Sequence, residues 1–219
     1  MTSASANFQT LLNQGHTAVW NQDWPRAIEH YQAALQDTPD HPSAMAGLGL
    51  AYFQSREYQT SLEIFAHLAN LQPDDPMPLN RIARIHERIG NLQDAALYYL
   101  KAAKTQLQAQ DTDQAIANLN SVLALDPQNQ PARSQLALVY DKSGRKPEAV
   151  SELLALASIL QHTGENEKAL QSIDYALQLV PDSLDAKTAR NLVANQKMLP
   201  LPEKKRGGTG PIRMAQVQK

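Results

Sequence analysis

The 219-residue chain has no cysteine, and only 5% of its residues are aromatic. Without cysteine it can form no disulfide and no thiolate, as is typical of proteins in a reducing compartment. Its first residues, MTSASANFQT, have no basic start followed by an apolar core, so we expect no signal peptide. Apolar runs such as LLALASIL stop at about eight residues, far below the roughly 20 needed to span a bilayer. We therefore expect a soluble, cytoplasmic protein with no membrane insertion.

Patterns that would support catalysis are also missing. The six histidines show no metal-ligand spacing such as HExxH. The GGTG at 207–210 is not followed by Lys-Ser/Thr, and we expect a tail there and no phosphate loop. The net charge is −2, with +5 in residues 197–219 and −7 in residues 1–196, so nucleic-acid binding is not expected. We predict that the protein is not an enzyme and that it binds no cofactor or metal. An enzyme is the alternative from another functional class.

Proline recurs at the ends of amphipathic segments. These prolines are Pro39, Pro73, Pro127 and Pro181, at successive intervals of 34, 54 and 54 along the chain. Each proline predicts a helix end, because proline cannot continue a helix and biases its predecessor toward extended backbone. Small and bulky residues precede each proline at fixed distances: Gly15, Ala27, Tyr31, Ala34; Gly49, Ser61, Phe65, Leu68; Ala103, Ala115, Leu119, Val122; and Ala157, Ala169, Ile173, Ala176. This spacing places them on one helical face, where small residues let two helices approach closely.

This pattern resembles the tetratricopeptide repeat, a unit of about 34 residues that forms two antiparallel helices. Residues 8–41 and 42–75 match it well, and a third copy from residue 76 lacks the expected proline because Leu107 stands there. The resemblance implies an all-α fold, a right-handed α-solenoid of antiparallel helix pairs. It also implies a non-enzymatic protein that binds other proteins.

The missing proline accounts for the longer interval of 54. Residues 91–110 are typical of one continuous helix that two repeat units share, and residues 73–127 align with 127–181 without gaps. We predict helices near 5–20, 24–37, 42–55, 58–71, 76–89, 92–109, 112–125, 130–143, 146–162, 166–179 and 182–197. The repeats are then 8–41, 42–75 and three-helix units 76–127 and 130–181, and a polar capping helix covers the last repeat. Residues 1–197 form the solenoid, and residues 198–219 a flexible basic tail.

A basic stripe is the candidate site. Arg81, Arg84 and Arg88 follow i, i+3, i+7 spacing on one helix. The resemblance implies that these positions face the binding groove, with Asn80 beside them, and that Lys101 and Lys104 join them only if the shared helix turns the same side inward. Such a stripe can hold acidic side chains or a terminal carboxylate. The alternative is a solvated face, partly neutralised by Glu87 and Asp94.

The predicted function is therefore an interaction module or scaffold that binds an extended or acidic peptide of another protein in its concave groove. The Pro/Gly-containing basic end also permits an alternative, in which the chain is the repeat region of a larger multidomain or membrane-associated assembly. Trp20 and Trp24 flank the first turn, where ligand stacking is conceivable. For Trp24 the resemblance favours packing, because this repeat family often has an aromatic residue that packs the turn at that place.

Overall fold

The computed structural model describes residues 2–203, with side chains from residue 6 onward, and this part of the chain is all-helical without a strand. It contains eleven helices: α1 Thr2–Trp20, α2 Trp24–Asp37, α3 Pro42–Gln54, α4 Tyr58–Leu71, α5 Pro76–Ile89, α6 Leu92–Gln108, α7 Thr112–Leu125, α8 Gln130–Lys142, α9 Lys146–His162, α10 Asn166–Leu179 and α11 Leu184–Ala194. The predicted all-α fold is confirmed. The largest differences from the predicted bounds are at the start of α1 and at both ends of α11.

Four helices end for the reason that their prolines predict. The residue before each proline is the C-cap, and its ψ lies between 72° and 96°, outside the helical range, at Thr38, Gln72, Asp126 and Val180. The proline ring disfavours helical backbone in the preceding residue, so the helix stops there.

The other turns use a left-handed residue. Positive φ angles occur at Gln22, Arg56, Gly90, Gln110, Gly144 and Gly164. The first three of these residues are 34 positions apart. Gly144 follows Gly90 by 54 positions, and Gly164 follows Gln110 by 54 positions. Helix starts recur in the same way, from 76, 92 and 112 to 130, 146 and 166. Turn geometry therefore repeats at the two intervals that separate the prolines.

The described residues form two compact units that divide after Ala109. The N-terminal unit contains α1–α6, and consecutive helices in it pack as neighbours joined by short turns. Tyr31 of α2 is 1% exposed and lies between two glycines. A Cβ on Gly15 would come within 2.5 Å of the Tyr31 ring, and Gly47 of α3 meets the same ring. Glycine is needed at these places because the ring fills the space that a methyl group would take.

The C-terminal unit contains α7–α11 and is centred on α9. This helix packs against both α8 and α10, and eleven of its seventeen residues are buried. Arg133 of α8 donates to Glu152 of α9 at 2.6 Å, and both residues are 8% exposed. Tyr175 of α10 donates to Asp141 of α8 at 2.5 Å. One long helix thus serves two helix pairs in this unit.

The chain continues from α11 back to α9. Leu199 is 1% exposed and belongs to the same core as Leu154 and Ile173. The tail predicted from residue 198 onward therefore includes a residue that is packed in this core, which the sequence does not predict. Lys204–Arg206 and the GGTG stretch at 207–210 lie outside the described residues.

Candidate functional site

The arginine stripe lies on helix α5, whose two ends are both defined by capping residues. Asp75 caps its start, because the Asp75 carboxylate accepts a hydrogen bond from the Met77 backbone N–H at 2.9 Å. Gly90, with φ of 86°, ends it. The apolar face is buried through Ile82, Ala83 and Ile85, which fixes the rotation of the helix. Arg81 is half-buried, and Arg84 and Arg88 are exposed.

Arg81 and Arg84 border a small apolar depression. Its other walls come from α3, α4 and α5 and consist of Leu50, Phe53, Phe65 and Ile85. Burial lowers the pKa of Arg81, and the charge of Arg84 lowers it further. Two like charges therefore lie close together beside an apolar surface. A bound anion would relieve both the desolvation and the repulsion.

No carboxylate neutralises the stripe within residues 6–203. The Tyr99 hydroxyl donates to Glu87 at 2.5 Å. The pKa of Tyr99 is raised mainly by burial and, to a smaller extent, by the Glu87 carboxylate. Asp94 lies 3.8 Å from His86 Nδ1. The two acids expected to neutralise the arginines therefore make no ion pair with them.

Asn80 precedes the stripe on the same broad face of α5. Its side-chain oxygen is buried, and among the described residues it has no hydrogen-bond donor. A buried acceptor without a partner costs about 1–3 kcal/mol. A donor supplied by a ligand, such as a peptide N–H, would remove that cost.

The structure places Lys101 of α6 away from the arginines. Lys101 Nζ lies 4.7 Å from the Tyr98 ring centroid, and that ring stacks on His86 at 5.5 Å. His86 is two residues from both Arg84 and Arg88, which places it roughly 160° from them around the helix. Lys101 is therefore on the other side of α5. Lys104 is exposed and makes no ion pair within the described part of the chain.

Histidine and tryptophan side chains take packing, capping or surface positions. His41 accepts the Ala44 N–H at the start of α3, and His67 pairs with Asp40 at 2.8 Å. Trp24 packs against the first core, as predicted. Trp20, on the other side of the first turn, is 88% exposed.

The residues that the structure describes contain neither a metal site nor a membrane-spanning helix. No group of three histidine, aspartate or glutamate side chains is placed to hold a metal ion. No helix combines the length and the apolar content needed to cross a bilayer.

Consecutive helix pairs with glycine and alanine at their contacts define a helical-repeat protein. Two family models described as "Tetratricopeptide repeat" match the chain, over residues 12–76 and 106–165. Together they cover more than half of the chain. The chain belongs to the tetratricopeptide repeat proteins, as its repeat pattern predicts.

Curated relatives share this repeat over part of their length. The chain is 24% identical over 211 residues to a DnaJ homolog subfamily C member 7 homolog of Dictyostelium discoideum, covering 81% of this chain and 38% of that protein. It is 30% identical over 105 residues to the photosystem I assembly protein Ycf3 of Synechococcus elongatus, covering 43% of this chain and 61% of Ycf3. The matched region is thus less than two thirds of either relative.

Solved structures include YrrB, a TPR protein with an unusual peptide-binding site. It is 21% identical with a TM-score of 0.48, and the match covers 83% of this chain and 91% of YrrB.

Proposed function

We propose that the arginine face of α5 binds an extended, acidic segment of a partner protein, so that the chain acts as a non-enzymatic interaction module or scaffold. The observation that carries this proposal is the set of three arginines without a carboxylate partner in the described residues. Family membership supports a protein partner, since stacked helix pairs commonly present surfaces that bind peptides.

Each residue of the face has a distinct role in the proposal. Arg84 and Arg88 hold partner carboxylates, because a guanidinium donates two parallel hydrogen bonds to a carboxylate. Arg81 lines the small depression beside Arg84 and adds its positive charge to the face. Asn80 accepts a backbone N–H of the partner. Lys101 and Lys104 lie outside this arrangement and provide a control.

The test compares two charge reversals of equal size, Arg84→Glu/Arg88→Glu and Lys101→Glu/Lys104→Glu. Fluorescent peptides graded in acidity are titrated against both variants and the wild type. We expect binding to strengthen with acidity and to weaken with salt, because exposed charges are screened. The arginine variant should lose this binding, and the lysine variant should keep it. Equal binding by both variants, or binding without salt dependence, would contradict the proposal.

A second candidate is a repeat region that serves a larger assembly. The relatives extend beyond the matched region, and the name of Ycf3 marks it as an assembly protein, which suits a chain that presents surfaces to other proteins. The native reading frame tests it: a stop codon directly after Lys219, together with recovery of the chain alone from native extract, would contradict this candidate.

The domain division and the location belong to the same proposal. We place the helical domain at 1–197 and the basic tail at 198–219, where packing of Leu199 attaches the first tail residues to the domain. A cytoplasmic location is proposed from the composition. Fractionation of cells that express the native chain tests it, and recovery in a membrane or secreted fraction would contradict it.

A further inference from the structure

The end of α11 redirects the chain onto α9. Gln196 takes a left-handed conformation with φ of 57°. The Lys197 N–H donates to the Leu192 carbonyl at 2.9 Å, which closes the turn. Residues 197–203 then run without helical structure back along α9. The turn therefore delivers an irregular, non-helical segment to a helix of its own unit.

Gln161 of α9 holds the backbone of this segment at two points. Its Nε2 donates to the Lys197 carbonyl at 2.9 Å, and its Oε1 accepts the Leu199 N–H at 2.8 Å. A donor and an acceptor from alternate residues are thus paired with one amide, as an adjacent strand would pair them. Both hydrogen bonds are made to backbone atoms of the segment, so this contact does not depend on the segment's side chains.

Ser158 and an apolar pocket complete the contact. The Ser158 hydroxyl, which is fully buried, donates to the Pro200 carbonyl at 2.7 Å. The Leu199 side chain enters the core, whereas the neighbouring Met198 is 51% exposed. Pro202 is buried as well. Two prolines restrict the backbone of the segment before it binds, which lowers the entropy lost on binding.

Helix α9 does not need the polar side chains of Ser158 and Gln161 in order to form. At the equivalent positions of the preceding three-helix unit, α6 has Lys104 and Leu107 in place of Ser158 and Gln161. Without the segment, the amide of Gln161 and the hydroxyl of Ser158 would lose the partners that they have in the structure. Their placement is explained by a ligand with backbone groups and one apolar side chain.

We propose that the crevice formed by Ser158, Gln161 and the core around Leu199 is a binding site for extended leucine-proline segments of other proteins, which residues 197–202 occupy within this chain. The tethered segment has an effective concentration of roughly millimolar order. A partner segment enters when the chain's own segment leaves. This site is in the C-terminal unit and is independent of the arginine face.

The test uses the full chain with Leu199→Asp, which places a charge in the apolar pocket and releases the tethered segment. A labelled peptide, KMLPLPE, is titrated to about millimolar concentration. We expect it to bind this variant at least about tenfold more tightly than the wild type, whose site is occupied. Adding Gln161→Ala to the variant should abolish binding. Met198→Asp, at the exposed neighbour, is the matched control and should behave as the wild type.

A second measurement protects the test against misfolding of the variant. Hydrogen exchange of the Leu199 amide in the wild type should be slow and should become faster when excess unlabelled KMLPLPE displaces the segment. A helical Leu199→Asp variant that does not bind the peptide would overturn the proposal. If that variant is not helical, the exchange measurement on the wild type decides. A Leu199 amide that is unprotected in the wild type, or whose exchange the peptide leaves unchanged, would overturn the proposal.

Discussion

Helices α6 and α9 have the same length and different surroundings. Each has seventeen residues, and they start at Leu92 and Lys146, which are 54 residues apart. Six residues of α6 are buried, against eleven of α9. Two of the positions that differ have lysine in α6: Lys101 and Lys104 are exposed, and α9 has buried Ala155 and Ser158 in their places.

Two helices of equal length can therefore differ in burial: a minority of the residues of α6 are buried, and a majority of those of α9. Burial of an ammonium group without a partner is too costly, so α6 keeps its lysine face in water. Serine lets α9 be covered at this place, because the Ser158 hydroxyl donates to the Pro200 carbonyl in the segment that contains Leu199. The distribution of charge on one face thus separates the two helices.

A second pair of positions distinguishes the two units. The C-terminal unit places the buried Arg133–Glu152 ion pair where the N-terminal unit has Leu79 and Tyr98. Arg133 also donates twice to the Pro127 carbonyl, at 2.9 and 3.1 Å. Burial raises the pKa of Glu152, and the nearby Arg133 opposes that rise. Removal of one member of this pair would leave the other charge buried without its partner.

The largest expected effect is that of Arg133→Leu, which imitates Leu79. It leaves Glu152 buried without its partner, and we expect a loss of about 3–5 kcal/mol in the free energy of unfolding. Urea denaturation followed by circular dichroism measures this loss. The double variant Arg133→Leu/Glu152→Leu should recover most of it, and a double variant as unstable as the single one would contradict the prediction.

The same variant should respond to pH. A raised folded-state pKa means that the folded protein holds the Glu152 proton more readily than the unfolded chain does. This contribution to stability is present at low pH and is lost as pH rises through the folded pKa. Removal of Arg133 raises that pKa further, so the defect of Arg133→Leu should be largest at neutral pH and smaller in mild acid. A defect independent of pH would show that Glu152 is not its source.

A smaller effect is expected for Gly15→Ala. In the N-terminal unit Gly15 faces the Tyr31 ring, whereas the C-terminal unit has Ala157 and Ile173 at the matching positions. The added methyl group overpacks the ring contact and should cost about 1–3 kcal/mol. Trp24, in the same core, reports this loss by fluorescence during denaturation. Gly15→Ala/Tyr31→Ile reproduces the C-terminal combination and should be more stable than Gly15→Ala alone.

Ser158→Lys gives α9 the residue that α6 has at the same place. The buried hydroxyl is lost, and the lysine should displace residues 197–202 from the crevice. We expect a net loss of about 1–2 kcal/mol, because exposure of Leu199 is partly offset by the regained entropy of the segment. Hydrogen exchange at the Leu199 amide should become fast, and a protected amide would contradict the prediction.

The smallest effect is expected for the reverse change, Lys104→Ser. Lys104 is exposed and has no ion pair within the described residues, so the free energy of unfolding should change by less than about 0.5 kcal/mol. The measurement is the same denaturation series. A loss as large as that of Ser158→Lys would mean that α6 uses this face for packing.

The sequence was sufficient to predict the eleven helices because each boundary has a local cause. Prolines end four helices through the residue before them, and small residues mark where helices meet. The error at α11 also has a local cause. The helix ends at Ala194, and the left-handed Gln196 follows. Glutamine, unlike glycine, gives no signal of that conformation in a sequence.

The candidate site was predictable only along one helix. Spacing placed Arg81, Arg84 and Arg88 together on α5, but it could not assign the side of Lys101, which the contact with Tyr98 decides. Leu50 and Phe53 were missed because they come from α3, a helix from an earlier repeat, and no spacing within α5 refers to them. Gln161 and Ser158 were missed because their ligand is irregular backbone.

The recurrence of left-handed residues at fixed places has a consequence for protein engineering. A copy of residues 128–181 inserted after Pro181 would bring its own turn residues at the proper places. We expect such a chain to gain three helices and to remain folded, because each added helix would meet the neighbours for which its small residues are suited. The chain can thus be lengthened in whole modules without redesign of a junction.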